Sequence, residues 1–212
     1  MKTDKIFYQI LQEFPQFFFN LISADLTHIS NYKFIALELK ETSFRLDGLF
    51  VTKENHEQYP LYFVEPQFYE EDNFYDRVFP SIFLYFHQYH PLNEDWFAVI
   101  IFDTRSNDVV IPPRYRELVQ NRLIRIYLDE ISEDMRNSLS FGIFQLIIES
   151  PKKAGELARN LIDLAKNQPL PLDVISTQQV VELIETIVLY KFPKLTRQEI
   201  ETMLRLDDII PF

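Results

Sequence analysis

Three β-rich runs follow one another at Lys33–Lys40, Ser43–Thr52 and Leu61–Phe68. The stretch Lys53–Tyr59 between the last two is polar and turn-like, so a meander or hairpin is the natural connection. Before them, Asp4 to about Leu21 has the spacing of an amphipathic helix, interrupted or kinked near Pro15, where a backbone donor is lost. After them, a helix is predicted from Asn73 to about Tyr89. The continuous apolar run Phe97–Phe102 then predicts a strand covered on both faces. Pro112-Pro113 opens a helical segment to about Arg122, and Leu123–Leu128 predicts another strand. Further helices are predicted at Ser132–Glu149, Pro151–Asn167, Ser176–Tyr190 and Thr196–Leu206, the last opened by a Thr196/Glu199 capping box. The organisation expected is an α/β core over residues 1–130 and a helical extension over 131–212 packed on the same domain.

Composition narrows the function classes. The chain has 212 residues, enough for a substantial core, and its 20 Phe and 11 Tyr supply large apolar area for one. Its formal net charge is −11, which repels a polyanion at long range, and no basic run marks a groove for one. The absence of cysteine excludes disulfides and thiolate zinc sites. With three glycines there is no glycine-rich phosphate loop. No apolar stretch approaches membrane-spanning length and the start lacks a secretory pattern, so a cytoplasmic protein without membrane partners is expected.

The chemistry-bearing pattern is Asp47 in one strand-like run and Glu65-Pro66-Gln67 closing the next. Side chains alternate along a strand, so Glu65 and Gln67 face one side and Pro66 the other. If the two runs pair, both carboxylates meet beside a position suited to a divalent cation. A second reading takes Asp47-Gly48 as a turn or bulge and Glu65-Pro66 as a strand end, since these residues favour turns and disfavour central strands.

Around these residues the chain resembles the PD-(D/E)XK nuclease superfamily, and within it the recombination-promoting nuclease, or putative transposase, branch. The resemblance starts at Asp4-Lys5-Ile6-Phe7-Tyr8 and Glu13-Phe14-Pro15 and runs through Phe44-Arg45-Leu46-Asp47-Gly48-Leu49-Phe50 to Arg77 and Tyr85. More weakly, it continues through Arg125-Ile126-Tyr127-Leu128 to Thr196-Arg197-Gln198-Glu199. It implies a restriction-endonuclease-like αβββαβ core with a C-terminal helical extension. It also implies a DNA endonuclease using Mg²⁺, with Mn²⁺ as a substitute. Asp47, Glu65 and the Pro66 carbonyl would hold metal, and Gln67, where many relatives carry lysine, would orient water or a phosphate oxygen. Arg77, Tyr85 and Arg45 would support the site or bind phosphate, and a homo-oligomer fits the same picture.

Two departures from the family pattern open an alternative. Pro66 replaces a small aliphatic residue, so its strand must be at an edge, bulged, or short of one bond, and Glu65 could be displaced. Asn20 stands about where relatives often carry an acid. The alternative is a catalytically degenerate nuclease-like protein serving as a binding or assembly module. Lesser candidates have plain readings beside them. Glu70-Glu71-Asp72 suits the start of a helix better than a metal. His87 and His90 fit a helix end better than zinc, which needs further ligands. Arg45 and Lys40 pair with Glu38 or Glu41 more simply than with phosphate.

Overall fold

In the computed structural model the described residues are 2–37, 46–167 and 176–204. They divide into two compact units, Met1–Ser132 and Glu133–Phe212.

The first unit is mixed α/β. Helices α1 (Lys2–Glu13) and α2 (Pro15–Leu21) are separated at Phe14, which leaves the helical region at φ −131° and ψ 57°. Pro15 causes this break, because the residue before a proline is pushed out of the α region while proline itself opens a helix well. Of the two outcomes expected near Pro15, the helix is interrupted, not merely kinked. A 3₁₀ turn at Leu26–Asn31, capped by Asp25, leads into the sheet.

Among the described residues the strands are β1 (Tyr32–Ile35), β2 (Gly48–Thr52), β3 (Leu61–Gln67), β4 (Trp96–Phe102) and β5 (Leu123–Tyr127), and they lie in that order. β1, β2 and β3 pair antiparallel as a meander, whereas β4 joins β3, and β5 joins β4, in parallel. Parallel neighbours need crossovers. Helix α3 (Phe74–Tyr89) lies between β3 and β4, and helix α4 (Arg116–Arg122) between β4 and β5.

Both faces of the sheet are covered by aromatic residues. On one face Phe18 stacks on Phe50 with ring centroids 4.6 Å apart, and Phe19 meets Tyr62 edge-on at 5.5 Å, seating α2. On the other, Leu49, Phe63, Ala98, Ile100 and Phe102 form one cluster with Phe74, Val78, Phe79, Ile82 and Tyr85 of α3. The abundant Phe and Tyr thus make the core. Gly48 belongs to β2, opposite Val64, and its φ is not positive. A Cβ there would land on the Phe34 ring, so the glycine serves a close approach and not a turn.

The second unit is helical: α5 (Glu133–Arg136), α6 (Leu139–Ile148), α7 (Pro151–Asn167), α8 (Thr177–Lys191) and α9 (Arg197–Leu204). The helix expected over Ser132–Glu149 is interrupted because the Ser138 hydroxyl accepts the Phe141 N–H at 3.2 Å, starting α6 afresh. Thr196 and Glu199 form the expected reciprocal cap, with Thr196 N–H donating to Glu199 at 2.8 Å. Ser176 and Gln179 make a second one on α8.

Candidate functional site

β3 carries Glu65 and Gln67 on the face that packs against α3, because Glu65 aligns with Ile100 and Gln67 with Phe102 of β4. The register from Leu61 to Gln67 is unbroken, so β3 is neither bulged nor an edge strand. Pro66 is tolerated for another reason. Pairing with β2 ends where Gly48 meets Val64, so the missing N–H falls past the end of that ladder.

One further step of the same antiparallel register brings Asp47 opposite Glu65. The Asp47 backbone N–H donates to Glu65 Oε2 at 2.9 Å. Glu65 is 5 % exposed and Asp47 is exposed, so the pair runs from the core to the surface. The other Glu65 oxygen, Oε1, lies 2.8 Å from Arg77 Nη1 in the first turn of α3. Arg77 also donates through Nε and Nη2 to the two oxygens of Glu71, each at 2.9 Å. A single guanidinium therefore spans a buried carboxylate and a half-buried one.

The electrostatics follow from this placement. Burial pushes the Glu65 carboxyl up to about 8, and the neighbouring Asp47 charge adds to the rise. Arg77 and the Asp47 N–H pull the other way without cancelling it. Burial opposes the charge on Arg77, but its bonds to Glu71 and the Glu65 charge raise its proton affinity above the ordinary arginine range. The arrangement sets Asp47, Glu65 and Glu71 around the Arg77 guanidinium at a sheet end.

The remaining candidates fall in distinct places. Gln67 is 1 % exposed and its amide nitrogen donates to the Tyr69 carbonyl. Tyr85 is buried against Phe63, with centroids 5.3 Å apart, and against Tyr89 at 4.8 Å. It is therefore part of the α3 core layer, two turns along from Arg77. Arg45 and Lys40, with Glu38 and Glu41, lie outside the described residues. His87 and His90 are exposed, and His90 closes α3 in the left-handed region at φ 45°. Among the described residues, no group of three or more His, Asp and Glu side chains is arranged to hold a metal ion. Asn73, not one of the preceding acids, is the N-cap residue of α3, and Glu71 is engaged by Arg77 instead.

A second polar cluster escaped sequence reasoning. Asp108, in the loop after β4, accepts from the Tyr75 hydroxyl at 2.6 Å, the Tyr127 hydroxyl at 2.5 Å and Arg125 Nη1 at 3.0 Å. Tyr75 belongs to α3, and Tyr127 and Arg125 to β5, so one carboxylate ties three segments together. Nothing in the local sequence around Asp108 signals it, because its partners become neighbours only through the two crossovers.

Fold and site define a mixed α/β protein in which a buried glutamate of the central strand, an exposed aspartate just before β2 and a bridging arginine of α3 meet at one end of the sheet. The chain belongs to the family described as protein of unknown function (DUF2887), whose model matches residues 3–204. No curated protein and no solved structure matches the chain. No described helix is long and apolar enough to cross a membrane.

Proposed function

We propose that the protein is a PD-(D/E)XK-type DNA endonuclease dependent on Mg²⁺, with a restriction-endonuclease-like core. The observation that carries this reading is the meeting of Asp47 and Glu65 across β2 and β3, through the 2.9 Å bond from Asp47 N–H to Glu65 Oε2. The element order of helix, three-strand meander, helix and parallel strand supports the same reading.

The donor chemistry fits a hard cation. Asp47, Glu65 and the Pro66 carbonyl offer only oxygen, and Mg²⁺ is held by one or two carboxylates while keeping several waters. The rise in Glu65 proton affinity caused in part by Asp47 marks two like charges close together, which a dication would relieve. When bound, Mg²⁺ supplies a more acidic water and stabilises charge developing on the phosphoryl oxygens. Asp47, being exposed, is the carboxylate that meets solvent and substrate first. Glu65 is held in place from both sides, by the Asp47 N–H and by Arg77. Gln67, its nitrogen fixed on the Tyr69 carbonyl, offers an amide oxygen to orient a water, without the positive charge a lysine would bring.

Supercoiled plasmid incubated with Mg²⁺ or Mn²⁺ tests the reading. Cleavage by the native chain, lost in Asp47→Ala, is expected, and cleavage unchanged in that variant would sink it. Pro66→Val leaves cleavage within severalfold of native, because β3 keeps its register at Pro66.

A specific observation favours the non-cleaving alternative. Arg77, Arg105, Arg114, Arg122 and Arg125 each face an acid, so these cations are already engaged within the unit. An assembly module of this kind, forming homo-oligomers or protein complexes, predicts no cleavage by native chain or Pro66→Val and no Mn²⁺ shift in melting temperature.

A further inference from the structure

The placement of Arg77 assigns it a task beyond supporting the site. Its guanidinium reaches Glu65 and Glu71 through different nitrogens: Nη1 lies 2.8 Å from the buried Glu65, and Nε and Nη2 each donate to Glu71 at 2.9 Å. The Glu71 attachment is the two-bond fork that guanidinium and carboxylate planes favour, and it is complete without Glu65. The guanidinium also lies 5.4 Å from the centre of the Phe74 ring, which limits how far it can move. Glu65 is therefore the partner that can be exchanged, and Glu71 the one that anchors.

A divalent cation on Asp47 and Glu65 and the guanidinium on Glu65 are both positive, and they cannot share one carboxylate without repulsion. We propose that Arg77 is an exchangeable counter-ion. It occupies Glu65 until a divalent cation enters, and then, still forked onto Glu71, it turns Nη1 toward a phosphate oxygen of the substrate. Metal and nucleic acid are thereby coupled, because each takes one of the two groups that otherwise satisfy each other. This inference rests on the nuclease reading of the Asp47–Glu65 pair, and it makes Glu71 the positioning residue for Arg77.

Mn²⁺ binding followed by electron paramagnetic resonance, with and without a phosphorothioate DNA duplex that resists cleavage, separates the two ideas. Without DNA, Arg77→Gln is expected to bind Mn²⁺ about tenfold or more tightly than the native chain, since an ion-paired competitor has gone. The duplex should strengthen Mn²⁺ binding to the native chain and have no such effect in Arg77→Gln, as reciprocal coupling requires. Equal or weaker Mn²⁺ binding in Arg77→Gln, with binding still abolished by Asp47→Asn, overturns the exchange while leaving the nuclease reading intact. Absence of Mn²⁺ binding in native chain and variant alike removes both. Should Arg77→Gln fail to fold, Arg77→Lys serves: one ammonium cannot fork onto Glu71 and reach Glu65 together, so severalfold tighter Mn²⁺ binding is expected and unchanged affinity overturns the proposal.

Discussion

Glu65 and Asp108 are two carboxylates withdrawn from water in the same unit, their side chains 6 % and 8 % exposed, and they are supplied in opposite ways. Asp108 receives two tyrosine hydroxyls and one arginine. Glu65 receives one backbone N–H and half of an arginine whose fork is spent on Glu71, and a second carboxylate lies beside it. A buried charge with neutral donors and a dedicated cation closes a structure. One set next to a like charge stays unsettled, and that is the mark of a group kept for binding or chemistry.

The largest effect should come from the settled carboxylate. Asp108→Ala leaves Arg125 and two tyrosine hydroxyls without their acceptor, so a loss of about 3–5 kcal/mol is expected in urea unfolding. A loss below about 1 kcal/mol would mean the comparison mistakes a surface contact for a tie.

Glu65 should instead betray itself through pH. Its folded affinity for a proton lies above the unfolded one, so its stabilising contribution is full below pH 4.5 and is lost as pH rises through about 8. Unfolding free energy of the native chain should accordingly fall by a few kcal/mol across that window, and Glu65→Gln should remove most of the slope. An equal slope in the variant would show that other groups carry it. Gly48→Ala sharpens the contrast by geometry: its Cβ meets the Phe34 ring, costing about 1.5 kcal/mol by overpacking. The displacement is next to Asp47, so any Mn²⁺ response should weaken while the Asp108 cluster keeps its hydrogen-exchange protection. Smallest is Glu71→Gln, which loosens a partly solvated fork and should cost about 1 kcal/mol or less in thermal unfolding.

Much of the arrangement was legible in the residues themselves. Strands β3 and β4 announced themselves as apolar runs, and proline marked the end of α1. Asp47 and Glu65 could be brought together on paper because a meander pairs sequence neighbours, and its register needs only local turns. What remained hidden turned on single side-chain contacts or on crossovers. The Glu71–Arg77 fork spans the start of α3 at a spacing that no helical or strand period favours. Asp108 meets Tyr75 and Tyr127 only after β4 and β5 have docked in parallel. The split of the helix expected at Ser132–Glu149 turned on one hydroxyl at Ser138 competing for a backbone amide, a choice that apolar periodicity does not register.

The one-sided pairing at the end of β3 has a consequence for how such a chain can vary. Beyond Val64 the strand is held by β4 alone, so the middle position of Glu65-Pro66-Gln67 can lose its amide hydrogen without disturbing the register. Inheritance can then rewrite that middle residue while the two outer ones stay fixed in place. A motif of this kind should drift at its centre and hold at its ends, and an alignment of related chains checks it.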